Sequence, residues 1–220
     1  MSGRPRGTMI TVSADELSPE VLRQTLAYGI NESQVIELLA DGTSIGPSAD
    51  GKGRTALGYA AMGGNPNFVR LIVAAGAEVD LPDARGLTPL MLACCFPIHN
   101  KPVNPAVVHA LIDAGADVGF REARCGAAAL ALAASFGKLE AVLALIAAGA
   151  DLELHDHSGN TALHSAFLSD QSACARALLA AGADATRKNA DGCSALELTE
   201  DPELISLIRA AISARIVPVD

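Results

Sequence analysis

From Gly159 to Ala183 the apolar positions fall into two short runs with helical spacing. Leu163, Ala166 and Phe167 sit at i, i+3 and i+4, which marks the buried side of a helix opened by Asn160-Thr161. Thr161 suits the start, because a hydroxyl there accepts a first-turn N–H. Polar Ser169-Asp170 breaks the run, and a second helix carries Ala173, Ala177, Leu178 and Ala181. Gly182 ends that helix, where a left-handed residue closes the last turn with least strain. The segment from Asp184 to Asp191 then leads back to another glycine. The pattern predicts two helices and an extended turn in 33 residues.

The same unit recurs, and self-similarity at such a period outranks any local signal. An apolar pair, two small residues, Gly-Ala and an acid appear as Leu71-Ile72-Val73-Ala74-Ala75-Gly76-Ala77-Glu78-Val79. They return at Gly115-Ala116-Asp117, Gly149-Ala150-Asp151 and Gly182-Ala183-Asp184, with a weaker copy around Gly42. A second glycine keeps step at Gly53, Gly86, Gly126, Gly159 and Gly192, spaced 33, 40, 33 and 33 residues apart. The long step contains an insertion. Gly86 to Gly115 is 29 residues against 23 elsewhere, and the six extra residues fall within Pro97 to Pro105. Three prolines there predict a stiffened loop between the paired helices, since proline does not sit inside a helix. Such a loop is either tolerated drift or a partner contact. Replacing Pro97–Asn104 by a short turn is expected to leave folding nearly intact.

Gly86-Leu87-Thr88-Pro89-Leu90-Met91-Leu92-Ala93 resembles the ankyrin opening G-x-T-P-L-H-L-A. Gly53-Arg54-Thr55-Ala56-Leu57 and Gly159-Asn160-Thr161-Ala162-Leu163-His164 match it less fully, and Gly126-Ala127-Ala128-Ala129-Leu130 has lost the Thr-Pro. The resemblance covers roughly residues 17–212. It implies an all-α ankyrin-repeat solenoid of stacked helix-turn-helix units with short β-hairpin-like turns. The chain then divides into a flexible tail at 1–15, a degenerate unit at 16–49, four repeats at 50–188 and a C-terminal cap and tail at 189–220. The four repeats run 50–82, 83–121, 122–155 and 156–188, and Ser18-Pro19-Glu20 would start the degenerate unit.

Composition sharpens this picture. Half of the 220 residues are hydrophobic, 42 are alanine and only 3% are aromatic, which suits closely stacked helices. The net charge of −9 argues against a nucleic-acid binder. Five cysteines with no CxxC pair fit a reducing compartment. No apolar stretch reaches the ~20 residues of a membrane span. A cytoplasmic, monomeric protein is expected, with secretion as an effector left open.

Chemical motifs are sparse. Gly46 to Gly53 fits G-x-x-x-x-G-K, yet Gly53 stands where a P-loop needs Ser or Thr. His155-Asp156-His157 offers two imidazoles on an extended segment with no third metal ligand nearby. Cys94 replaces a motif alanine and reads as packing, and His164 stands at the motif's own histidine. These features carry the alternative reading, a metal- or nucleotide-dependent protein or enzyme on the repeat scaffold. The leading expectation is a non-catalytic module, with no cofactor, no metal and no nucleic acid, that binds another protein.

Ankyrin partners usually meet the hairpin tips and the first-helix faces on the concave side. Carried over, this implies contacts at Lys52, Arg54, Arg85, Leu87, Arg124 and Asn160 beside the turn glycines, with His157 next to Asp156. At the first-helix ends it implies Met62, Cys95, Phe96, Ser135, Phe136 and Leu168. Seven of the 16 cations lie in the tips: Lys52, Arg54, Arg85, Arg121, Arg124, Arg187 and Lys188. With His155 and His157 they predict a basic rim that steers an acidic partner, unless nearby acids neutralise it.

Overall fold

The structure is a computed structural model and describes residues 53–95 and 103–216. Lys52, Phe96, the first 51 residues and most of the proline-rich insertion lie outside the described residues. Four helix pairs follow one another: α1 (Ala56–Gly63) with α2 (Pro66–Ala74), and α3 (Pro89–Cys95) with α4 (Pro105–Asp113). Then come α5 (Ala129–Ser135) with α6 (Leu139–Ala147), and α7 (Ala162–Leu168) with α8 (Ser172–Ala180). A 3-10 turn (Ala195–Leu198) and α9 (Pro202–Ile216) follow. Each first helix packs on the next first helix and each second helix on the next second helix, with α9 against α8 and the 3-10 turn against α7. Among the described residues β structure is limited to two isolated bridges, His155 with Thr161 and Lys188 with Ser194.

The stack is held by columns of identical register. Leu57, Leu90, Leu130 and Leu163, four residues after each tip glycine, are buried, as are Ile72, Leu111, Leu145 and Leu178 from the second helices. Each such side chain removed from water stabilises by ~1.5–3 kcal/mol. Ala60, Ala93, Ala133 and Ala166 are buried beside them, and their small side chains let neighbouring helices close. In α8 the buried side is Cys174, Ala175, Leu178 and Leu179, while Ala173 and Ala181 face water.

Helix starts are set by short polar side chains. Thr55 Oγ1 accepts the Gly58 N–H at 3.0 Å, and Asn65 Oδ1 accepts that of Asn67 at 2.9 Å. Thr161 and His164 form the capping box of α7, and buried His164 also reaches the Cys193 carbonyl at 3.3 Å. That contact fixes its structural role. The insertion ends differently from the expected loop. Pro105 is the first residue of α4, where a missing N–H costs nothing, and Asn104 caps the helix by accepting the Ala106 N–H at 3.0 Å. Asn104 Nδ2 also donates to the Gly64 carbonyl at 2.9 Å and Val103 is buried, so the 103–105 stretch is packed structure. A replacement that removes Val103 and Asn104 is therefore expected to cost stability, in contrast to the nearly intact folding expected from the sequence.

Acids tie each unit to the next. Asp80 accepts the Asp117 N–H at 3.1 Å, and Glu153 accepts that of Asp184 at 2.7 Å. The two acceptors lie four residues after Gly76 and Gly149, and the two donors lie two residues after Gly115 and Gly182.

Candidate partner-binding surface

The tips are built around one folded-back polar side chain each. Asp83 Oδ1 accepts the N–H groups of Arg85 (2.8 Å) and Leu87 (3.1 Å). Asp156 Oδ1 does the same for Ser158 (2.9 Å) and Asn160 (2.8 Å), and Asn189 for Asp191 (3.1 Å) and Cys193 (3.0 Å). In these three tips the acceptor precedes the glycine by three residues; in the remaining described tip the interval is four, and the acceptor is Glu122. Its longer arm takes the N–H groups of Arg124 (2.8 Å), Gly126 (3.0 Å) and Cys125. Burial raises its pKa, but bonds from the Cys125 thiol and these backbone groups prevail and hold the carboxyl below its usual 4.5. Neighbouring tips touch through backbone: His157 N–H donates to the Cys125 carbonyl at 2.7 Å, and Ala190 N–H to Ser158 at 2.9 Å. Gly159 lies so close to the next tip that an added Cβ would sit 2.9 Å from Ala190 N.

The sequence-derived contacts separate into three groups. Met62, Leu87 and Cys95 are buried at 8%, 7% and 5% exposure, which corrects their reading as surface contacts: they pack within the stack. Burial pushes the Cys95 thiol well above its ordinary value and that of Cys94 up to about 12, so neither is a nucleophile near neutral pH. Arg54 and Asn160 are engaged internally. Arg54 lies 3.7 Å from Asp83 and 5.7 Å from the Tyr59 ring centroid, with only 12% of its side chain exposed. Asn160 Oδ1 accepts from Asn189 Nδ2 at 2.9 Å. Arg85 is more open but also pairs with Asp83, at 3.2 Å. Arg124, His157, Phe136 and Leu168 are exposed.

The basic rim is accordingly uneven. Buried Asp83 pairs with both Arg54 and Arg85 at one end and offsets one of their two charges. At the other, Arg121, His155, Asp156, His157, Arg187 and Lys188 line an open hollow of about 440 Å³ along three consecutive tips. Of these, His157 was expected as a direct contact, and Arg121, His155, Arg187 and Lys188 as part of the basic rim; that these four converge on one hollow depends on which tips adjoin. Phe136 (46% exposed) and Leu168 (57%) close consecutive first helices, and Ser135 and Ser169 bridge those helix ends Oγ to Oγ at 3.0 Å. Among the described residues no three His, Cys, Asp or Glu side chains converge as a metal site, and no helix is long and apolar enough to cross a membrane.

Comparison with known proteins agrees with this architecture. The family model for ankyrin repeats (3 copies) matches residues 25–118 and 98–189. A putative palmitoyltransferase ZDHHC13 of Danio rerio is 32% identical over 159 residues, 72% of this chain and 23% of that protein. SH3 and multiple ankyrin repeat domains protein 2 of Homo sapiens is 32% identical over 174 residues, 75% of this chain and 9% of its own length. B-cell lymphoma 3 protein homolog of Mus musculus is 33% identical over 152 residues, 67% and 32% of the two chains. The chain spans less than a third of each of these relatives, so the likeness concerns the repeat region and not the activities of the whole proteins. The helix pairs in register, the tip glycines and the family match lead to one conclusion: the chain belongs to the ankyrin-repeat family, whose stacked units are protein-interaction modules.

Proposed function

We propose that this chain binds another protein, without catalysis of its own, through the tips and first-helix ends between residues 121 and 193. The carrying observation is the pair Phe136 and Leu168. Aromatics make up only 3% of the chain, and large apolar groups about half exposed at adjacent helix ends are favoured anchors. Arg124 and His157 supply exposed polar contacts beside them. All five cysteines are free, which fits a partner met in the reducing cytoplasm.

Affinity capture followed by mass spectrometry identifies the partner, and matched variants then test the face. Phe136→Ser with Leu168→Ser should weaken the complex by about tenfold or more, since anchor losses exceed about 1.4 kcal/mol. Leu143→Ser is the control: Leu143 is as exposed as Phe136, at 46%, but lies on second helix α6. The reading fails if Leu143→Ser weakens binding and the pair does not.

A further inference from the structure

The hollow along the last three tips gathers three cations, Arg121, Arg187 and Lys188, around a single lining carboxylate, Asp156. Arg121 Nε donates to a neutral acceptor, the Gly126 carbonyl, at 3.0 Å. Among the described residues neither Arg121 nor Lys188 forms an ion pair, although Lys188 is near enough to Glu197 to help lower its pKa. Arg187 lies 3.3 Å from His155 Nδ1 and reaches Glu153 only at 4.0 Å, while the other Glu153 oxygen is held by the Asp184 N–H. The one carboxylate in the lining, Asp156, is turned into its own tip by the Ser158 and Asn160 N–H groups. The walls therefore present two guanidinium forks, an ammonium and two imidazoles, against a net charge of −9 for the chain.

We propose that this hollow receives the carboxylates of an acidic segment of the partner protein, gripped by Arg121, Arg187 and Lys188. The proposal rests on the partner-binding reading above and adds to it the chemistry of the partner. Guanidinium forks match carboxylates two oxygens at a time. The hollow of about 440 Å³ is open to solvent and has room for a few acidic side chains. A long polyanion such as nucleic acid would leave the hollow and meet the acidic remainder of the chain, whereas a short acidic segment ends within it. The cations steer its approach, so the contact speeds association and weakens with salt.

Hexaglutamate serves as the probe, followed by chemical-shift changes on the full chain at low and high salt. Three comparison probes are hexaglutamine, a neutral peptide carrying one phosphoserine, and oligo-dT of equal length. Hexaglutamate should bind, perturb residues 121–126, 155–160 and 187–190, and weaken with salt; hexaglutamine should not bind. Arg121→Gln with Lys188→Gln should weaken the peptide by about tenfold. Both residues are exposed and outside any described ion pair, but Arg121→Gln gives up the bond to the Gly126 carbonyl, so the melting temperature of the double variant is measured alongside; Lys188→Gln alone, which keeps that bond, should give a smaller loss in the same direction. Arg70→Gln with Arg209→Gln removes equal charge from exposed helix positions and should change affinity by less than about twofold. The proposal is overturned if hexaglutamate does not bind, or if the two double variants behave alike. Tighter binding of the phosphopeptide or oligo-dT overturns it as well. Because the probe needs no partner, its failure beside an intact Phe136/Leu168 effect removes only the acidic-segment assignment. Failure of that pair alone removes the anchor face and leaves this result standing.

Discussion

Shortening Glu122 to aspartate isolates what the longer tip demands. Glu122 closes a tip one residue longer than those of Asp83 and Asp156, and its extra methylene reaches the N–H groups of Arg124, Cys125 and Gly126. Pulling the carboxylate back by about 1.5 Å stretches these bonds beyond useful geometry. The loss is not three full bonds. Arg124 and Cys125 are exposed, so water replaces their acceptor, and the Gly126 N–H keeps the Glu122 carbonyl at 3.0 Å. Glu122→Asp should therefore cost about 1–2 kcal/mol. Deleting Cys125 as well gives an aspartate three residues before its glycine, as in the other acidic tips, and places the Arg124 carbonyl where His157 donates. The double change should recover most of the loss, while the deletion alone, with an arm now too long, should also destabilise. Chemical denaturation with the slope monitored measures this, because partial unfolding of a repeat stack shows first in the slope. A double change that is no more stable than Glu122→Asp alone would refute the matching of arm to tip length. The same carboxylate gives a pH signature. Its folded value lies below 4.5, so its stabilisation is present above about pH 4.5 and is lost as pH falls through the folded value. Glu122→Gln should flatten stability against pH in that window.

Other substitutions read separate features. Asp170 holds φ 54°, the left-handed region, at the register where Gly64 and Gly137 stand; Asp170→Gly should stabilise by about 0.5–1 kcal/mol in thermal melts. Gly159→Ala meets both a positive φ of 75° and the Ala190 backbone, and should cost about 2 kcal/mol or more in denaturant titration. Asn104→Ala removes the α4 cap and the bond to the Gly64 carbonyl, for about 1–2 kcal/mol; an unchanged melting temperature would show that the insertion's end is dispensable.

The fold was legible because the glycine period and the apolar columns repeat in phase, and Leu57, Leu90, Leu130 and Leu163 occupy one buried position. The Thr161 cap and the structural His164 followed from the same register. What the register does not reveal is depth at a helix end. Met62, Cys95 and Leu168 share one motif position, nine residues after the tip glycine, yet range from 8% and 5% to 57% exposed. The fate of Arg54 was hidden too, because pairing with Asp83 depends on how tips adjoin. The Glu122 tip did leave a trace. The 40-residue glycine step exceeds 33 by seven, and the insertion accounts for six, so the seventh residue lies in the tip.

The central claim, that the 121–193 tips and first-helix ends carry the partner, is tested most directly by amide hydrogen exchange on the chain with and without its captured partner. Slowed exchange is predicted at the tips 121–126, 155–160 and 187–192 and at the ends of α5 and α7 around Phe136 and Leu168. Protection confined to the outer sides of α2, α4, α6 and α8, around Arg70, His109, Leu143 and Arg176, would contradict it.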